Sequence, residues 1–426
     1  MKTKQSSILS KLALTALVVS SAITTFPAAS SAQAAEDTPT WSREDASNFT
    51  LTDENTVPNI DSFTDVAPDY WVWDTWPLRE RDGSLAKING HYVQFALTAS
   101  KEYTWGGRHD HAVIRYFYSK NGKDWEMGTV PYDEDKALGF RQWAGSAMID
   151  EDDKIHLFYT AAGRKEEGPT FEQRLAKTTF EMDYDNKEGF QVTNNGEHQI
   201  LAEADGVHYE TQAQKTGDII YSFRDPWFFQ HPETGEEYLI FEGNTGGTDK
   251  SLNADNIGNV DGPIPDGAED YNGNVGIAKA ENEDLTEFEL MPPLLEANGV
   301  NQQLERPHVV QKGDDFYLFT ISHQFTFAPG LEGPDGLYGF HANSLFGDYQ
   351  PMNGTGLVVA NPEEDPFQAY SWAVLPHGQV ISFVNEFHDE NGDFQVGGSF
   401  APTLKLKLKD DTSEIKGVMG EGEIHG

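Results

Sequence analysis

The chain has 426 residues and no cysteine, and its 70 acidic against 30 basic side chains give a formal charge of −40. That length can supply a large core, and the missing cysteines exclude a disulfide-stapled fold. The charge argues against nucleic acid or an anionic membrane as partner. Because the acids are spread along the whole chain, they indicate a solvated surface suited to high salt, which screens self-repulsion.

The first 34 residues have the pattern of a secretory signal: Lys2, Lys4 and Lys11, the apolar Leu12–Val19, then Ala32-Gln33-Ala34 as a small-x-small cleavage site. The apolar run is too short to span a bilayer, so an exported, extracellular protein is expected. Residues 35–69, rich in Asp, Thr and Pro, form a polar arm.

Beyond the arm a polar or Gly turn followed by an apolar strand recurs five times. The copies are Asn89–Ala99, Asp152–Ala161, Gly235–Asn244, Gly313–Ser322 and His377–Glu386. Each is preceded by a second aromatic strand: "WVWDTWPL", "RQWAGSAMI", "FRDPWFF", "LERPHVV" and "YSWAVLP". Matched strand pairs at such a period, with few amphipathic helical stretches, predict an all-β, five-bladed β-propeller over residues 70–402. A β-sandwich with irregular insertions would not account for five pairs. Gly243–Gly273, rich in Gly, Asn and Asp, is expected to be a surface loop of the third unit. At the C-terminus, residues 403–426, "TLKLKLK" predicts an amphipathic strand docked on the propeller, and a flexible tail from Asp410.

In a propeller the first strand of each unit lies nearest the axis. Three of these strands carry a carboxylate at a similar place, Asp74, Asp225 and Glu305, two of them beside Arg224 and Arg306. The other two present Trp143 and Tyr370. Glycosyl transfer with retention needs a carboxylate nucleophile and a carboxylic acid about 5–5.5 Å apart. A third carboxylate can stabilise oxocarbenium-like charge, and close acids push one another's pKa values apart. Tryptophans offer flat apolar faces to a sugar ring. Strict alternation along Tyr70–Leu78 sets Asp74 with Val72 and Trp76, on the face opposite Trp71 and Trp73. Only a strand that twists or ends there, which Pro77 would allow, could bring Trp73 and Asp74 to one face. His109 and His111 in "RHDH" have no third partner for a metal, and a local hydrogen-bonding role is expected.

At these residues the sequence resembles glycoside hydrolase family 68, the levansucrases and inulosucrases, from about Trp71 to Glu386. The motifs "VWDTWP", "QWAGSA", "FRDP", "FEGNTGG" and "ERPHVV" occur in the family's order. The resemblance implies a five-bladed propeller that cleaves sucrose and transfers its fructosyl unit to fructan, sugars or water. It implies Asp74 as nucleophile, Asp225 as transition-state stabiliser and Glu305 as general acid/base. Trp73, Trp143 and Arg224 would line the fructosyl subsite, Glu242 would steady the carboxylates from behind, and Tyr370 would neighbour the acid/base. Gln303 and His323 would contact the glucosyl or acceptor sugar. Those two, with Ala144, are similar to the Gram-negative type. Gln302 and Ile219 stand where many calcium-binding members have acids, and "NADNIG" breaks an EF-hand-like spacing, so no cofactor or metal is expected. Levansucrase activity in a monomer is the main expectation. Inulosucrase, a mainly hydrolytic β-fructofuranosidase, or a non-catalytic sugar-binding propeller are the alternatives.

Overall fold

The computed structural model describes residues 38–252, 257 and 263–426. The secretory segment expected over residues 1–34 lies outside the described residues.

The five expected strand pairs open five antiparallel blades around one axis. Their innermost strands are Tyr70–Glu80, Arg141–Ile149, Phe223–Gln230, Glu305–Lys312 and Ala369–Val374, defining blades I to V. Their partners are His91–Ser100, Ile155–Arg164, Glu237–Asn244, Asp315–Ser322 and Gln379–His388. These second strands are almost wholly buried, because each blade packs both faces against neighbouring blades. That is why they read as continuous apolar runs rather than alternating ones. Blades I and II also pair directly, Leu78–Glu80 running parallel to Ala147–Ile149.

One irregularity repeats in every innermost strand. The pairing register slips by one residue after Trp73, Trp143, Arg224, Glu305 and Tyr370. The residue that follows has positive φ in four of the five: Asp74 (46°), Asp225 (61°), Arg306 (46°) and Ser371 (64°). An extra residue in one strand cancels the alternation locally, so two consecutive side chains share a face. In blade II the strand crowds its partner instead: a Cβ on Gly145 would lie 2.1 Å from the Phe158 carbonyl oxygen, so only glycine fits after Ala144.

These bulges settle one expectation and correct another. Of the two routes expected for Trp73 and Asp74 to share the pocket, a twist or a strand end, the strand takes the first, through a bulge between them; it does not end at Pro77, which still pairs with Gln94. Glu305 is equivalent to Trp73, Arg224 and Tyr370, one place before the position held by Asp74, Asp225, Arg306 and Ser371.

The two flanking segments are structural as well. From Thr40 the arm bridges Glu296 of blade III, then Thr56 bridges Ala360 of blade IV, and the Ile60 amide donates to Gln368 Oε1 before blade V at 2.8 Å. Trp41 is fully buried on this path, against Phe327, Tyr338 and Phe340. The arm thus straps three blades before entering the first. In the expected surface loop, strand continues through Asn244 and resumes at Asn272, and Ile257 is buried.

The C-terminal tail is a further correction. Pro402–Lys409 pairs with the second strand of blade V and Thr412–Glu421 pairs with Pro402–Lys409, so the fifth blade extends well past residue 402. The Leu/Lys alternation buries Leu404, Leu406 and Leu408 and leaves Lys405, Lys407 and Lys409 in water. Each leucine contributes roughly 1.5–3 kcal/mol of burial, and a whole domain is stable by only about 5–15 kcal/mol. A chain ending at Pro402 is therefore expected to lose cooperative thermal unfolding. A sharp transition close to that of the full chain would refute this place for the segment.

Candidate active site

The five bulges open onto one cavity of about 540 Å³ at one end of the axis. Trp73-Asp74, Trp143-Ala144, Arg224-Asp225 and Glu305-Arg306 all line it, and Tyr370 stands beside Ser371 at the fifth bulge. The expected residues Gln303 and His323 line it too, whereas Glu242 lies behind, fully buried on the second strand of blade III.

Arg224 organises the acids. Its Nη2 donates to Glu305 Oε1 at 3.0 Å, its Nε lies 2.8 Å from Glu242 Oε2, and Asp225 Oδ2 is 3.9 Å away. Burial would disfavour its charge, but Glu242, Glu305 and Asp225 outweigh that and raise its pKa. The Tyr370 hydroxyl donates to Glu305 Oε2 at 2.6 Å. Burial would raise the Glu305 carboxyl, yet Arg224, His323 and that hydroxyl hold it below the ordinary glutamate value.

The two aspartates differ from it. Burial pushes Asp74 up, with Arg306, the Ser371 hydroxyl and Arg108 opposing. Asp225 is pushed up to about 7 by burial, against Arg224 and with help from Glu305 and Asp74. Its position is set by the main chain: its amide donates to Thr160 Oγ1 at 2.8 Å, and Oδ2 accepts the Arg306 amide at 3.2 Å.

Sequence reasoning missed most of the support. Arg306 holds a positive φ that strains a long side chain, and strain of this kind costs about 1–3 kcal/mol. It is held there by bonds to the Ser371 hydroxyl, to the Ser371 carbonyl at 3.0 Å and to the Thr75 carbonyl at 2.7 Å. The guanidinium is thereby fixed beside Asp74. Arg108 lies 3.4 Å over Trp105 and 5.3 Å from the centre of the Trp73 ring, and its charge faces Asp74. The "ERP" triplet was visible; the strain that aims Arg306 was not.

His109 packs edge-on against Trp73 at 5.5 Å, and its carbonyl accepts Trp143 Nε1 at 3.1 Å, which sets that indole in the wall. Burial and Arg108 keep its imidazole well below its usual pKa. His111 stacks on Tyr103 at 3.5 Å. His323 stacks on Tyr370 at 3.8 Å, and its Nδ1 pairs with the buried Asp335 at 2.7 Å. Burial lowers its pKa, but Asp335 and Glu305 outweigh it and the imidazole is raised. Phe325, 61% exposed, also stacks on His323, at 5.1 Å, at the cavity rim.

At the position where the resemblance would place calcium, the donors present are already engaged. Gln302 Oε1 accepts the Asn272 amide at 3.1 Å, and Glu210 beside it is neutralised by the Lys250 ammonium at 2.8 Å. Ile219 lines the axial cavity instead. Among the described residues no group of three or more His, Asp or Glu could hold a metal.

Comparison with known proteins places the chain as a whole. A family model described as levansucrase/invertase matches residues 30–425. A levansucrase of Rahnella aquatilis is 39% identical over 414 residues, 91% of this chain and 96% of that protein. An extracellular sucrase of Zymomonas mobilis subsp. mobilis is 38% identical over 394 residues, 90% of this chain and 94% of that protein. The structure of an inulosucrase from Halalkalicoccus jeotgali bound to kestose has a TM-score of 0.82 at 44% identity, covering 91% of this chain and 97% of that one.

Proposed function

The chain belongs to glycoside hydrolase family 68, the levansucrase/invertase family, and from this we propose a levansucrase that transfers the fructosyl unit of sucrose by retaining double displacement. The observation that carries the reading is the convergence of Asp74, Asp225 and Glu305 on one aromatic-walled cavity, tied together by Arg224 and Arg306. Asp74 attacks the anomeric carbon of the fructosyl unit. The bond to the glucose oxygen breaks, and that oxygen takes a proton from Glu305. In the second half-reaction Glu305 removes a proton from an acceptor hydroxyl, which displaces the Asp74 carboxylate from the sugar.

Asp225 faces the positive charge that develops on the ring, Arg224 holds the acids and can donate to sugar hydroxyls, and Trp73 and Trp143 present flat faces to the ring's C–H surface. Gln303, His323 and the exposed Phe325 at the rim suit the glucosyl unit or a growing acceptor. Export to the medium, where the Zymomonas relative is named extracellular, fits the signal-like N-terminus and the acidic surface.

Product analysis from sucrose tests the reading: β-2,6-linked fructan with free glucose is expected. The 44% identity to an inulosucrase favours β-2,1 linkage as the second reading, and methylation analysis separates the two. Glucose and fructose alone at high sucrose would mark a hydrolase. No glucose at all would leave a sugar-binding propeller.

The buried carboxyls predict the pH profile. Asp225 holds its proton to about pH 7, while Arg224, His323 and Tyr370 keep Glu305 below the ordinary glutamate value, so the proton that Glu305 delivers is shared with Asp225. Since the first step needs that proton, kcat/KM for glucose release is expected to fall as pH rises through about 7. A flat profile through pH 9 would refute proton sharing within the cluster.

A further inference from the structure

The axis has a second opening. A cavity of about 360 Å³ lies where the innermost strands of blades I, III, IV and V finish, at the end opposite the bulges. Its walls are largely apolar, with Trp227, Phe229, Val310 and Pro376 among them.

Arg79 lines this cavity, five residues beyond Asp74 on the same strand, and is only 4% exposed. Its Nη2 donates to the Phe228 carbonyl at 2.8 Å, and its guanidinium lies 3.9 Å over the Trp227 ring. Among the described residues that carbonyl is the one acceptor recorded for its five N–H bonds, and Nε is buried without a partner.

Among the described residues no carboxylate lies within ion-pairing distance of it, and burial pushes this arginine down to about 9. The charged groups around it are committed elsewhere. Arg81 is paired with Glu237, and Asp82 accepts from the amide and hydroxyl of Ser84. His308 engages both ring nitrogens, with the Arg306 carbonyl and the Val374 amide. A buried cation with unused donors, next to a cavity, lacks only a counter-charge.

We propose that this cavity binds a small monovalent inorganic anion of the halide class on the Arg79 guanidinium. The apolar walls favour a weakly hydrated ion over sulfate or phosphate, which would have to shed tightly held water. The strongly acidic chain also repels multivalent anions more than monovalent ones. The anion would neutralise the far end of the strand that carries Asp74, closing the axis opposite the catalytic cavity.

Two measurements on the full chain test this. Melting curves at equal ionic strength are expected to show a higher Tm in sodium chloride or bromide than in sodium gluconate, since an ion that binds only the folded state stabilises it. Arg79→Met should erase that difference. Equal melting in all three salts, or a difference that survives in Arg79→Met, would overturn the proposal. Because the variant can fail to fold, bromide-soaked crystals of the unmodified protein provide the second test. An anomalous peak within hydrogen-bonding distance of the Arg79 guanidinium is expected; bromide only at other sites, or none, would refute the site.

Discussion

Replacing Asp74 with alanine is expected to lower kcat for glucose release from sucrose about 10⁴-fold or more, the scale seen when a nucleophile is removed. Asp74 sits at the extra residue of its bulge, so its carboxylate faces the cavity while the flanking residues keep their pairing with Leu97 and Ala96. The variant should fold. The strand hydrogen bonds are main-chain bonds, and Arg306 keeps its acceptors on Ser371 and Thr75. Burial disfavours the Asp74 charge, while Arg306 loses one of its counter-charges but keeps Asp225 and Glu305, so the two effects oppose and Tm should stay close to the parent's. Glucose release within tenfold of the parent would remove Asp74 from the nucleophile's place. Lost activity with a collapsed melting curve would mean a structural role instead.

The architecture was legible in the sequence because strand pairs buried on both faces leave apolar runs between polar turns, five times over. The axial position of Asp74, Asp225 and Glu305 followed from that count. The bulges were not legible. An extra residue leaves no mark in a periodicity argument, and pure alternation separates Trp73 from Asp74, which the structure brings together. The same blind spot aligned Glu305 with the aspartates when its equivalents are Trp73, Arg224 and Tyr370. Composition also misled at the flanks. The arm is polar overall, yet Trp41 anchors it in the core. The Leu/Lys stretch looked like an appendage because two strands of the fifth blade come from the last residues of the chain.

Arg224 should be the residue whose loss harms both stability and activity, because one guanidinium serves Glu242, Glu305 and Asp225. In Arg224→Gln those carboxyls lose their counter-charge in a site already unfavourable to ionised groups. Removing one partner of a buried ion pair costs about 3–5 kcal/mol. The size of the loss should depend on pH in a defined direction. Burial already raises Glu242 and Asp225, and without Arg224 all three carboxyls should bind protons more tightly folded than unfolded. A native state that binds more protons than the unfolded state loses stability as pH rises. The variant's deficit should therefore be largest at neutral and alkaline pH and shrink as pH falls and the carboxyls are protonated. Glucose release should fall at every pH, because the guanidinium that holds Glu305, Glu242 and Asp225 in place is absent. Arg224→Lys restores a point charge but not the fork that reaches Glu242 and Glu305 together, so it should recover stability better than kcat. Equal stability of Arg224→Gln and the parent across pH 5–8 would show that the carboxylates are held by something other than Arg224.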